Sequence, residues 1–371
     1  MRTTTVLNKI LNTALSIKRP HGSQTNVKFT EWLRTQLPLE LNKAAFYDGA
    51  GNLHVDNRVN ASHKTLFVAH VDTVHRNEGK NKITKTKTHW RAKGDVLGAD
   101  DGAGVALLMH MIWGGIRGYY IFTQGEERGG VGARYLAEKQ QDLLKEFDRA
   151  IAFDRRGIDS VITHQGWGRC CSDTFGSALA DALMNGNDAL MMLNDDTGVY
   201  TDTAEFTDII PECTNISVGY AREHTQEESL DLVYYNNLAA AVLTVDWDAL
   251  PVERDPSVVE PVQDYAAGNW WQSYKTYTGT HYSANYDKYA EPDYDREDAI
   301  DAVLDAQYGH YDGLANLIAE SVWPDDTALA LRHMSVSNLP ASSLDWALEC
   351  LEHGEDVDLI LQSLYDELYV V

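Results

Sequence analysis

Basic residues are scarce in this chain. Of 371 residues, 31 are Lys or Arg against 56 Asp or Glu, for a formal charge of −25. Charge of that sign repels nucleic-acid backbones and anionic membranes, so neither is expected as a partner. Cysteine is also rare, with four in the chain. Cys170 and Cys171 are adjacent, and with Cys213 and Cys350 they fit neither a disulfide framework nor a CxxC metal site. Such usage is expected of a reducing, cytoplasmic setting. Long hydrophobic runs are missing too, and none approaches the ~20 residues of a membrane span. Near the N-terminus, Val6, Leu7, Ile10, Leu11 and Leu15 recur at helical spacing instead of forming a signal-peptide block. A soluble intracellular protein is the expectation.

What is present is an alternation of buried strands and helices. A chain this long can bury a large core and usually forms one to three domains. Residues 4–17 and 29–37 read as amphipathic helices, the second closed by Pro38, and a hairpin turns at 48–52. Apolar runs at 66–69, 119–123, 150–153 and 215–220 predict strands. Helices are predicted at 103–113, 130–140, 172–184 and 236–249. This order implies an α/β fold: a mixed, largely parallel sheet sandwiched by helices. In such sheets, sites gather at the carboxyl ends of strands.

The composition changes near Asp255, after which most of the negative charge falls. We read residues 1–255 as one α/β domain and 256–294 as a Tyr/Trp-rich linker or wrapping segment. Residues 295–371 regain helical periodicity and read as an acidic, mainly helical extension. It is either a solvated appendage or a module for homo-oligomerisation or partner docking.

Five short stretches end or follow the apolar runs. Ala69-His70-Val71-Asp72 puts two polar side chains on one face of an extended segment. His70 can bind a metal through one ring nitrogen. Asp72 can accept from the other nitrogen or from nearby groups. Gly98-Ala99-Asp100-Asp101-Gly102 precedes an apolar helix, with Asp100 a candidate bridge between two ions and Asp101 at a helix N-terminus. Gly125-Glu126-Glu127-Arg128-Gly129 follows a strand. One carboxylate, Glu127, can ligate while the other, Glu126, activates water. Asp154 closes the run Ile151-Ala152-Phe153, and His224 follows the run ending at Tyr220. Each stretch has a bland reading as a loop, turn or cap. The joint order of imidazoles and carboxylates suits zinc, with a position open for water. His63, His75, His110 and His164 have no matching partners and read as structural or exposed.

With these motifs in hand, residues 60–245 resemble the co-catalytic di-zinc peptidase clan of aminopeptidases, tripeptidases and carboxypeptidases. The resemblance rests on Ala69-His70-Val71-Asp72-Thr73-Val74, Gly98-Ala99-Asp100-Asp101, Gly125-Glu126-Glu127-Arg128-Gly129, Asp154 and the stretch from Val218 to Thr225. It implies two zinc ions, with cobalt or manganese as alternatives. His70, Asp100 and Asp154 would hold one ion, and Asp100, Glu127 and His224 the other. Glu126 would be the general base, Asp72 would support a ligand, and the Asp100–Asp101 peptide would be cis. Residues 155–223 are too short to hold an inserted lid domain, which points to the lid-less branch.

The implied activity is hydrolysis of a peptide or small amide, with a bridging water between the ions as nucleophile. An exopeptidase needs a group for a substrate terminus, and Arg155, Arg156 and Arg222 flank two ligand positions. The rival readings are a deacylase acting on a non-peptide amide and a non-catalytic binding or assembly protein on the same fold.

Overall fold

The computed structural model describes residues 3–165 and 168–258, and beyond them Leu314, Ile318, Leu344, Ala347, Ile360, Leu361 and Leu364. The chain divides into two compact units, Met1–Ala267 and Gly268–Val371. In the second, each described residue is helical and buried, and Leu314 with Ile318 and Leu344 with Ala347 keep the helical spacing read from the sequence. The Tyr/Trp-rich segment from 259 onward and any docking through the extension lie outside the described residues.

The first unit is built on an eight-stranded sheet. Across it the strands run Leu193–Asp195, Ser160–Ile162, Glu212–Ser217, Arg149–Arg155, Thr65–His70, Tyr119–Thr123, Leu53–Asp56 and Phe46–Tyr47. The inner four, from Glu212–Ser217 to Tyr119–Thr123, are mutually parallel. The Leu53–Asp56 strand joins them antiparallel and forms the expected hairpin with Phe46–Tyr47.

The helices are α1 (Thr3–Leu15), α2 (Gln24–Thr35), α3 (Leu39–Ala44), α4 (Ala99–Gly114), α5 (Val131–Lys139), α6 (Gln141–Leu144), α7 (Asp173–Gly186) and α8 (Leu232–Ala241). They cover both faces of the sheet, which is why Thr65–His70, Tyr119–Thr123 and the middle of Arg149–Arg155 are largely apolar, although the fourth inner strand, Glu212–Ser217, is buried and mostly polar. Phe67 and Ala69 pack into a core shared with α1, α4, α7 and α8, while Leu66 and Val68 face a second core with Ala133, Leu136 and Phe206. Helix α4 is buried from Ala99 through Ile112, because α1 lays Val6, Leu7, Ile10, Leu11 and Ala14 across its outer side. Burying each such leucine or isoleucine contributes ~2 kcal/mol.

Several boundaries differ from the sequence reading, each for a local reason. Helix α2 starts at Gln24 and not at 29, because the Ser23 hydroxyl accepts the Asn26 N–H and caps it there. The strand expected at 215–220 is Glu212–Ser217. Gly219, at φ 93°, then turns the chain into a separate strand, Tyr220–Ala221. The helix expected at 236–249 is α8, which begins at Leu232 because Asp231 accepts the N–H groups of Val233 and Tyr234. A four-stranded antiparallel sheet was not foreseen at all. It joins Tyr220–Ala221, Ser229–Asp231, His89–Ala92 and Ile83–Lys85. Its function is positional, since it ties the loop carrying His224 to the hairpin that precedes Asp100. No helix among the described residues is long and apolar enough to cross a membrane.

Candidate metal centre

Three parallel neighbours end side by side and set the floor of the site. His70 closes the central strand in register with Thr123, and the 3-10 turn Glu126–Arg128 follows Thr123. Asp154 lies near the end of the strand on the other side. Asp100 and His224 arrive from elsewhere, which departs from the expectation that all the site residues follow sheet strands. Asp100 opens α4 in a non-helical conformation, and the Asp100–Asp101 peptide is cis. His224 sits in the 222–228 loop at φ 62°.

The five expected ligands converge. His70 Nε2 lies 2.9 Å from Asp100 Oδ1 and 3.5 Å from Asp154 Oδ1. His224 Nε2 lies 3.1 Å from Asp100 Oδ2 and 3.2 Å from Glu127 Oε2. Asp100 therefore turns one oxygen to each histidine. Glu126 Oε2 lies 3.9 Å from His70 Nε2. The ligand atoms of His70, Asp100 and Asp154 fall within 4.8 Å of one another, and so do those of Asp100, Glu127 and His224. His70, Glu126 and Glu127 form a third such group.

A ring of polar contacts holds these groups. Of the two contacts open to Asp72, nearby groups take its carboxylate, while His70 Nδ1 faces the Asp72 backbone carbonyl at 3.2 Å and the carboxylate at 3.7 Å. The carboxylate accepts backbone N–H groups of Gly125 at 2.7 Å and of Glu126 and Glu127 at 3.3 Å each. Asp101 accepts the His70 N–H at 3.2 Å and caps α4 through the Gly104 N–H at 2.8 Å. Thr201 donates to Asp154 Oδ2 at 2.6 Å, and Tyr220 donates to Asp154 Oδ1 at 3.1 Å.

Three supporting residues went unread in the sequence. Glu228, fully buried, accepts the N–H groups of Gly98, Ala99 and Asp100 at 2.9, 2.7 and 3.1 Å. Asp202, also buried, accepts the Thr123 hydroxyl and leaves Oδ1 without a partner among the described residues. Arg19 runs beneath the His70–Asp72 segment, donating from Nε to the Val71 carbonyl at 2.7 Å and stacking 4.7 Å over Phe29. None of the three sits in an apolar run or a repeated spacing, so no pattern marked them.

The electrostatics are those of crowded buried acids. Burial pushes Glu127 up to about 7, and Asp100 adds to that shift. Burial raises Asp154 and Glu126 as well, and the neighbouring carboxylates add to it while His70 opposes. Burial alone would lower His70, but Asp154, Asp100 and Asp72 outweigh it and hold the ring well above its ordinary value. Asp100 is the exception among the candidate ligand acids. Burial pushes it up, but His224 and His70 hold it well below the usual carboxylate range. Glu127 Oε1 is buried without a hydrogen-bond partner among the described residues. An orphaned carboxylate oxygen among imidazoles and mutually repelling carboxylates is a donor set that fits divalent cations.

The three arginines stand apart from the cluster. Arg155 donates to Asp195 at 3.3 Å and to the Thr197 hydroxyl at 2.9 Å. Arg156 pairs with Glu223 at 3.0 Å, and Arg222 pairs with Glu227. Two cavities flank the His224 loop. One of about 660 Å³ lies between Arg156 and Arg222. The other, about 420 Å³, has His224 in its wall.

No known family model matches the chain, and no curated protein sequence does. Solved structures do share its fold. A tripeptidase from Staphylococcus aureus superposes with a TM-score of 0.52 at 16% identity, covering 66% of this chain and 97% of that one. Aminopeptidase PepT from Bacillus cereus gives 0.51 at 14% identity, covering 66% and 98%. The Legionella pneumophila aminopeptidase LapA gives 0.50 at 18% identity, covering 67% and 70%. At such identities the likeness is one of fold.

Proposed function

We propose that this chain is a zinc-dependent hydrolase of peptide bonds, acting as an exopeptidase. The observation that carries the reading is the two-sided Asp100 carboxylate, with Oδ1 toward His70 and Oδ2 toward His224. A bridging carboxylate of that kind, completed by Asp154 on one side and Glu127 on the other, is what a two-ion site requires. The fold shared with an aminopeptidase and a tripeptidase agrees with it.

His70, Asp100 and Asp154 would hold one ion, and Asp100, Glu127 and His224 the second. Two such ions, when bound, supply acidification of a bridging water and polarisation of the scissile carbonyl. Glu126, close to His70 and not needed as a ligand, takes the water's proton. The water oxygen bonds to the carbonyl carbon, the C–N bond breaks, and Glu126 passes the proton to the leaving amine. In the metal-free site burial and the adjacent acids keep the Glu126 carboxyl well above its ordinary value; bound cations would draw it down and leave a carboxylate able to take the proton and return it. Asp72 fixes the Glu126–Glu127 turn through its backbone. The buried free thiols of Cys170, Cys171 and Cys213 agree with a reducing, cytoplasmic setting.

The test is Glu126→Gln. We expect zinc binding to be kept and turnover to fall by at least ~10³-fold. Full turnover in that variant would remove Glu126 from the role.

A further inference from the structure

We infer that the cavity beside His224 receives a free carboxylate on the leaving-group side of the substrate, and that Arg76 binds it. The inference rests on the hydrolase reading above and narrows it to amides that release a free amino acid.

The cavity of about 420 Å³ lies between the Val74–Asn77 and Gly94–Val96 segments, with His224 in its wall. That is within the range of small-molecule pockets and gives room for one or two residues of a peptide. Its charged and titratable wall groups are almost all committed. Asp95 pairs with Lys18 and also accepts the Val96 N–H at 2.9 Å. His75 meets the Thr73 hydroxyl at 2.8 Å and the Val96 carbonyl at 2.9 Å. His224 belongs to the metal centre. Arg76 is exposed and has no hydrogen-bond or ion-pair partner among the described residues, and the amides of Asn77 and Gln226 beside it have none either.

Arg91 and Arg128 likewise have no side-chain partner among the described residues, but they line neither cavity. Arg155, Arg156 and Arg222 each face an acid, and Arg19 is buried against backbone carbonyls. Arg76 is thus the uncommitted guanidinium in a cavity that reaches a candidate ligand. The same accounting disfavours an amine-binding role for these cavities. Asp95, Glu223 and Glu227, the carboxylates of the two walls, are all neutralised by a partner. Two bound dications would balance the charge of Asp100, Glu126, Glu127 and Asp154, so the centre leaves no net cation for a substrate carboxylate. A substrate carboxylate needs a planar cationic fork at its approach, which Arg76 supplies.

A short peptide and an N-acyl amino acid both carry this carboxylate. The experiment therefore compares Ala-Leu, its C-terminal amide and N-acetyl-leucine on the zinc-loaded full chain, as wild type and as Arg76→Gln and Arg76→Lys. We expect wild type to favour Ala-Leu over its amide at least tenfold in kcat/KM. Arg76→Gln should erase that preference, chiefly through the KM for Ala-Leu, and Arg76→Lys should restore part of it. Carboxylate-dependent turnover of N-acetyl-leucine alone would keep the subsite and identify an acylated substrate. Chelator-sensitive cleavage of acid and amide alike, unmoved by Arg76→Gln, would overturn the subsite and leave the hydrolase reading intact. Should no substrate turn over, calorimetric binding of Ala-Leu and its amide decides. A tenfold preference for the acid, lost in Arg76→Gln, would support the subsite apart from hydrolysis, and equal binding would overturn it.

Discussion

Asp72 and Gly125 lie 53 residues apart in sequence, yet the Asp72 carboxylate accepts the Gly125 backbone N–H at 2.7 Å. The next two N–H groups, of Glu126 and Glu127, point at the same carboxylate. One buried side chain on the His70 segment thus sets the turn that presents both glutamates. Asp72→Asn keeps one acceptor oxygen and turns an amide N–H₂ toward the donors of the other. It should cost ~2–3 kcal/mol of stability, for lost and unsatisfied hydrogen bonds to a charged group. It should also lower kcat/KM roughly 10–100-fold, the usual effect of removing a ligand's outer partner. Urea unfolding and steady-state kinetics check the two effects. Wild-type turnover would show that the turn holds without Asp72.

Glu228 plays the matching part for Asp100, gathering three successive N–H groups. Glu228→Ala leaves all three without an acceptor, and the segment carrying the bridging carboxylate loses its anchor. Zinc affinity should fall by about 10–100-fold. Calorimetric zinc titration of the metal-free protein reads this without reference to catalysis. An unchanged affinity would show that the cap on α4 alone positions Asp100.

His75 makes stability depend on pH. Its ring is buried, and burial lowers it from its ordinary value to about 4, although its bond to the Val96 carbonyl opposes the shift. In the unfolded chain it takes up a proton near pH 6.5, while in the folded chain it stays neutral down to about 4. Between those values the unfolded state binds more protons, so this contribution to stability falls as pH falls through the window. His75→Gln should flatten the melting temperature against pH between about 6.5 and 4. A wild-type slope in the variant would place the acid sensitivity elsewhere.

How far the site was legible depended on where each residue sits. His70, Glu126, Glu127 and Asp154 follow apolar strands, so a hydrophobic run ending in a polar group marked them. Asp100 was marked by motif alone, since its segment belongs to a helix start, and His224 was marked only as a loop residue after the run ending at Tyr220. Glu228 and Asp202 act across large sequence separations on backbone groups or single hydroxyls, as Glu228 does on Asp100. No local pattern encodes such contacts. The same limit hid the small antiparallel sheet. Its strands, such as His89–Ala92, are short and largely polar and take their register from pairing partners far away in the chain. Most of the sandwiched central sheet was readable because Thr65–His70, Tyr119–Thr123 and Arg149–Arg155 carry apolar runs, whereas the buried but largely polar Glu212–Ser217 was misplaced by three residues.

Zinc content measured together with peptide cleavage decides whether the two-ion hydrolase centre exists. The purified full chain, dialysed against chelator and reloaded, should take up about two zinc ions. It should cleave short peptides only when loaded. A chain that takes up no zinc when it is offered would contradict the account.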